Sequence, residues 1–229
     1  MTKQYFLLLI LYAGMFALPA CASDQAKGLA DKLQTKYDQI QDMEGAFVQE
    51  TTPSSSQRPL VSKGRMFFKR PNLMRWDYET PEAQSIVITK DTVFVYEKEM
   101  SQVMIMPRED YVPPDVTSAF FLEKGSLKKL FEIDMAGEAF PEPDWTLKLT
   151  PKPGQNPDDN KTQGLSSLKN LWIQIDQQTY IVKQIWFEDA AGTKQHFVFE
   201  DVKANQKVNN EMFTFEIPQG VEVYRAGSK

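Results

Sequence analysis

The sequence predicts an α+β protein: an antiparallel β-sheet preceded by one amphipathic helix and carrying short helices packed against it. Three observations lead there. Ala26, Leu29, Ala30, Leu33, Tyr37 and Ile40 recur at spacings of three and four, the signature of a helix with one apolar face. Beyond them the chain breaks into short extended runs separated by turn residues at hairpin-like intervals. The middle of the chain holds two helical stretches too short to be stable alone in water, so the sheet must support them. At 229 residues the chain can enclose a sizeable core or a cavity.

The first residues read as a leader. Lys3, the apolar run from Tyr5 to Leu18 and the small residues of Ala20-Cys21-Ala22 give a signal peptide over 1–22, cleaved before Ser23, and a single domain over 23–229. The apolar run is short for a membrane span. Leu18-Pro19-Ala20-Cys21 also resembles a lipid-attachment motif, in which Cys21 would become a lipidated first residue. Under the first alternative the mature chain has no cysteine; under the second its only cysteine is an anchor.

The helix is expected from Ser23, a capping residue, to Gln41. Strands follow at 45–52, 64–70, 73–78, 85–89, 92–97 and 102–106, with Lys90-Asp91 and residues 98–101 of hairpin-turn length. Short helices are expected at 115–122 and 126–131, each opened by a capping residue, with Phe120, Phe121, Leu122, Leu127, Leu130 and Phe131 needing cover. Strands resume at 145–150, 168–176, 181–188, 195–202, 213–217 and 221–224. Residues 151–167, rich in Pro, Gly, Asn, Asp, Ser and Thr, read as a surface loop within the same domain.

The segment from Lys63 to Pro81 carries the strongest functional hint. In extended chain, Met66, Phe68, Arg70, Met74, Trp76 and Tyr78 share one face, which places an arginine among apolar side chains. A guanidinium there is costly unless acceptors meet it, and no neighbour in sequence is an obvious partner. The alternative is that Pro71 or a bulge breaks the alternation and turns Arg70 to solvent.

Other chemistry is thin. A net charge of −5 and the lack of a lysine and arginine block argue against a phosphate-backbone partner, so no nucleic acid is expected. The single histidine, His196, lies in a strand-like run and reads as a sheet-surface residue. It cannot build a metal cluster alone, and no nucleophile elbow or phosphate-cradling glycine loop is present. No catalytic residue, metal or cofactor is therefore expected. What stands out is soft apolar content: aromatics make up 12% and there are ten methionines. Methionine suits a surface that accepts variable apolar shapes, so the residues allow either an ordinary core or an apolar cavity lined by sheet and short helices.

Lys69-Arg-Pro-Asn-Leu-Met-Arg-Trp76, the ending Phe213-Thr-Phe-Glu-Ile-Pro-Gln-Gly-Val-Glu-Val223 and the order of elements resemble the LolA family of periplasmic lipoprotein carriers. The resemblance spans essentially the whole mature chain. It implies an unclosed antiparallel half-barrel with an N-terminal helix, and a lid of short helices over an apolar cavity that receives acyl chains. It also implies that Arg70 is a latch binding loop carbonyls to hold the lid closed. Met66, Phe68, Met74 and Trp76 become candidate cavity walls, with Leu33 from the helix, and Phe120, Phe121 and Leu122 look like the lid. The implied function is that of a monomeric, non-enzymatic periplasmic chaperone. It would accept acylated lipoprotein from an inner-membrane ABC transporter and pass it to an outer-membrane receptor. The alternative is a lipid-anchored receptor, or a lipid- or lipoprotein-sensing regulatory module, of the same fold.

Overall fold

The computed structural model describes residues 20–56, 58–111, 127–152 and 168–226. Helix α1 spans Ala20–Gln39 and is followed by β1 (Asp42–Thr52), β2 (Leu60–Lys69), β3 (Leu73–Thr80), β4 (Gln84–Ile88), β5 (Thr92–Glu97) and β6 (Gln102–Pro107). After α2 (Leu127–Leu130) come β7 (Phe131–Met135), β8 (Thr146–Pro151), β9 (Leu168–Ile175), β10 (Val182–Asp189), β11 (Lys194–Ala204) and β12 (Glu222–Arg225). The described strands form one sheet in the order β12-β6-β5-β4-β3-β2-β1-β11-β10-β9-β8-β7. Two meanders thus meet where β1 pairs with β11, from Met43 opposite Ala204 to Thr52 opposite Lys194. The outermost strands, β7 and β12, do not pair with each other, so the sheet is open.

Helix α1 buries the stripe read from the sequence, with Ala26, Leu29, Ala30, Leu33, Tyr37 and Ile40 all buried. Its bounds differ from expectation at both ends. In the full chain the helix begins at Ala20, ahead of Ser23 and of the expected cleavage site. At the other end Gln41 leaves the helix: its N–H donates to Asn205 Oδ1 and its carbonyl accepts from Arg70 N, so the sheet captures the chain early.

Two segments need correction. Phe131 is not the end of a helix but the start of β7, in which Phe131 and Ile133 are buried and Glu132 and Asp134 exposed. That period of two was masked by the helix-like spacing of Leu127, Leu130 and Phe131. Residues 213–217 do not form a strand. Phe213 closes a 3-10 turn over Asn210–Phe213, whose N–H groups begin with a bond from Glu211 N to the Asn209 side chain. The chain then crosses the outer face of the sheet, laying Phe215 against Phe94 and Tyr96 at ring separations of 5.2 and 5.8 Å. It ends as β12, which pairs with β6 in parallel and is the exception to the antiparallel pattern.

The sheet separates two apolar layers. On the helix-covered inner face, α1 packs with Met43, Phe47, Met66, Phe68, Met74 and Trp76 and with the inward residues of β7 to β11 in one continuous core. On the outer face, Phe67 and Leu73 form a smaller core with Val208, Met212 and Phe213 from the C-terminal segment. Arg75 Nη1 and Lys69 Nζ fasten that segment by donating to the carbonyls of Met212 and Val208.

Gly64 lies where β3 crosses close to β2. A Cβ there would collide with the Asp77 carbonyl and come within 2.9 Å of the Phe47 ring. Gly64→Ala should therefore destabilise the fold by about 3 kcal/mol, read as a lowered urea midpoint with an unchanged slope.

Candidate functional site

The β2–β3 turn decides where Arg70 goes. Lys69 pairs with Leu73, Phe68 with Met74 and Met66 with Trp76, so Arg70, Pro71 and Asn72 form a three-residue turn and the proline stays out of the ladder. Asn72 takes the left-handed conformation that such a turn requires, with φ of 63°. The alternation therefore survives Pro71, and Arg70, half-buried, reaches to the helix side.

Its acceptors are main-chain carbonyls at the end of α1. Nε donates to Ile40 O at 2.9 Å and Nη2 to Tyr37 O at 3.0 Å, while the guanidinium carbon lies 5.8 Å from the centre of the Phe68 ring. A helix end offers carbonyls without intrahelical partners and the negative pole of its dipole, so a cation is favoured there. This arrangement satisfies the cost of holding the cation beside an apolar face. The family resemblance implied loop carbonyls; these belong to α1 and the residue following it.

Leu33 of α1 and Met66, Phe68, Met74 and Trp76 of the sheet come together in one core, none more than 3% exposed. Phe120, Phe121 and Leu122 lie outside the described residues. Sequence reasoning missed an aromatic cluster around Trp76. Phe47 meets Trp76 edge-on at 4.9 Å and Tyr78 at 5.0 Å, and Phe197 and Phe199 lie 6.1 and 6.4 Å from Trp76. The alternation of Phe197 and Phe199 on either side of Val198 was the available signal. A polar group sits at one margin of the cluster: Tyr78 OH donates to Gln49 Oε1, and Gln49 Nε2 donates to Gln195 Oε1.

His196 stands on the other side of the sheet, since its neighbour Phe197 points into the inner core. Its ring stacks on Trp186 at 4.9 Å with an interplanar angle of 7°. Gln184 Nε2 donates to Gln174 Oε1, so Gln184 Oε1 is left to accept from His196 Nε2 at 2.7 Å. Nδ1 lies 3.7 Å from a Glu50 carboxylate oxygen. Burial lowers the imidazole pKa and outweighs the opposing pull of Glu50. His196 is thus a packed sheet-surface residue away from the inner face. Among the described residues no three histidine, cysteine or acidic side chains gather as metal ligands.

A mostly antiparallel open sheet, its inner face rich in methionine and aromatics under an N-terminal helix tied down by one arginine, defines the class of fold. The sequence profile of the family described as outer membrane lipoprotein carrier protein LolA matches residues 38–216, and the chain belongs to that family. The outer-membrane lipoprotein carrier protein of Chromohalobacter salexigens is 28% identical over 211 residues, covering 92% of this chain and 93% of that protein. That of Azotobacter vinelandii is 28% identical over 223 residues, covering 96% and 98%. Among solved structures, an uncharacterized conserved protein from Thermus thermophilus superposes with a TM-score of 0.52 at 13% identity, covering 87% of this chain and 98% of that one. MucB superposes with a TM-score of 0.50 at 12% identity, covering 88% of this chain but 66% of MucB. These two show the shared fold.

The His196 shift has a defined pH consequence. With the folded pKa below the unfolded value of about 6.5, the unfolded chain takes up the proton first. The contribution of His196 is constant above that range and is lost as pH falls, until the folded imidazole also protonates. Unfolding titrations between pH 7.5 and pH 5 should show a loss of stability that is smaller in His196→Gln.

Proposed function

We propose that the protein is a periplasmic, non-enzymatic carrier that shields the acyl chains of outer-membrane-directed lipoproteins on the inner face of its sheet. In this scheme it receives them from an inner-membrane ABC transporter and delivers them to an outer-membrane receptor. The observation that carries the proposal is the Arg70 clamp: a cation beside a largely apolar layer, bonded to carbonyls at the end of the helix that covers that layer.

The physical need is plain. A triacylated protein terminus with about 45 methylenes would resist transfer to water by roughly 35 kcal/mol, at about 0.8 kcal/mol per methylene. A carrier must offer an equivalent apolar environment and still let go. In the closed state the inner face is packed against α1, so the empty carrier hides its apolar surface. Opening costs the two Arg70 bonds, each about 1.5–3 kcal/mol for a charged donor, together with the helix burial they protect. Acyl chains repay that cost by occupying the layer vacated by the helix. Closing again on Arg70 favours expulsion of cargo to a receptor, because the closed state competes with the loaded one.

The carbonyl acceptors suit a reversible tie. A carboxylate partner would leave a second charge stranded on opening, whereas helix-end carbonyls can turn to water. The carrier is favoured over a regulatory module of the same fold because the chain matches outer-membrane lipoprotein carrier proteins almost from end to end.

The test is transfer of a purified triacylated lipoprotein to receptor-bearing membranes. Arg70→Leu should still load, because leucine extends the apolar layer, but should retain cargo and transfer it at least tenfold more slowly, since losing even one Arg70 bond of about 1.5 kcal/mol is worth about that factor. Equal transfer by the two proteins would remove the latch from the scheme. Failure of wild type to hold acylated cargo would remove the carrier function itself.

A further inference from the structure

Tyr37 is tied at both ends. Its carbonyl accepts from Arg70 Nη2 at 3.0 Å, and its hydroxyl, fully buried, accepts from the main-chain N–H of Val182 at 3.1 Å. Arg70 belongs to the turn between β2 and β3, in one meander. Val182 opens β10 in the other, at a point where the pairing register with β9 shifts between Val182 and Gln184. The same carbonyl also accepts from Ile40 N at 3.2 Å, which draws in the last turn of α1 and brings Ile40 O beside it.

The buried stripe sets the roll of α1 on the sheet coarsely, but apolar contact is not directional and tolerates small rotations about the helix axis. Hydrogen bonds to carbonyls are directional and weaken steeply as the angle opens. Something must fix the roll of α1 for its last carbonyls to face Arg70. The Tyr37 hydroxyl is placed to do so: it projects from the same residue that supplies a latch carbonyl and is held by backbone, which cannot move as a side chain would.

We propose that the Tyr37 hydroxyl is a positioning group for the Arg70 latch, so that α1 is clasped between the two halves of the sheet and lifts only when both ties release. This rests on the latch reading above. In it, Arg70 supplies the charge, Tyr37 sets the angle, and the bond to Val182 makes the second meander a participant in lid opening. Tyr180 and Gln34 add contacts of the same sense. Lys32 lies 5.5 Å over the Tyr180 ring and Gln34 Oε1 accepts from Leu127 N, but neither bears on a latch carbonyl.

The experiment measures binding of the fluorescent apolar probe 1-N-phenylnaphthylamine to wild type, Tyr37→Phe, Arg70→Leu and the double variant. Tyr37→Phe keeps the ring and removes the tie, and should raise probe affinity about tenfold. Arg70→Leu should raise it at least as much, and the double variant no further than Arg70→Leu alone, since positioning has no effect once the latch is gone. Additive effects, or no change in Tyr37→Phe while Arg70→Leu binds more tightly, would overturn the proposal. No change in either would overturn the latch as well. Hydrogen exchange gives a second reading that does not depend on Tyr37→Phe folding. The Val182 amide should lose protection in Arg70→Leu, although its bond is to Tyr37 and not to Arg70, and unchanged protection there would also overturn the clasp.

Discussion

A guanidinium can sit against an apolar layer only if acceptors follow it there, and the end of a helix is where a chain has carbonyls to spare. Arg70 meets that condition with Tyr37 and Ile40, and much of the architecture follows from it. The helix must end at the β2–β3 turn, so its apolar stripe falls along the inner face and its last turn opposes the turn of the hairpin. The sheet must present Met66, Phe68, Met74 and Trp76 to the same side as the cation, which the unbroken pairing of β2 with β3 enforces. Charge, helix termination and strand register are one problem with one solution.

The parts of this site legible in the sequence were those with a local period. The stripe from Ala26 to Ile40 has the spacing of a helix, and all six residues are buried. The parity of Met66, Phe68, Met74 and Trp76 could be counted across Pro71, although only the register shows that the proline falls in the turn. Partners distant in sequence were not legible. Nothing local indicates that Arg70 bonds carbonyls some thirty positions earlier, which depends on β1 pairing with β2, or that Phe197 and Phe199 join Phe47 around Trp76, which depends on β1 pairing with β11. Periodicity also misled where two patterns overlapped. Phe131 continues a helical spacing and begins an alternating one, and tertiary pairing with β8 decides for the strand.

Methionine gives the inner layer a particular character. Met43, Met66 and Met74 are buried with aromatics, among which Phe47 meets Trp76 and Tyr78 edge-on. Unbranched thioether chains rearrange at small cost, while aromatic rings keep the walls apart. Such a layer can pack against a helix in one state and against flexible alkyl chains in another. The Gln49, Tyr78 and Gln195 group borders this layer with side chains already bonded to one another, so closing the face strands none of those bonds.

The parallel pairing of β12 with β6 changes what the molecule shows to its own copies. Without it the sheet would finish at β6, six residues long, with Val103 and Ile105 on the margin and an unpaired row of backbone groups. Such a margin invites another chain to add itself on. The chain instead crosses the outer face and finishes the sheet with four residues, Glu222 at one end and Arg225 at the other. A protein whose work requires an apolar interior is especially exposed to self-association. The border that results is four residues long, flanked by charges and built from residues that make none of the bonds to the end of α1.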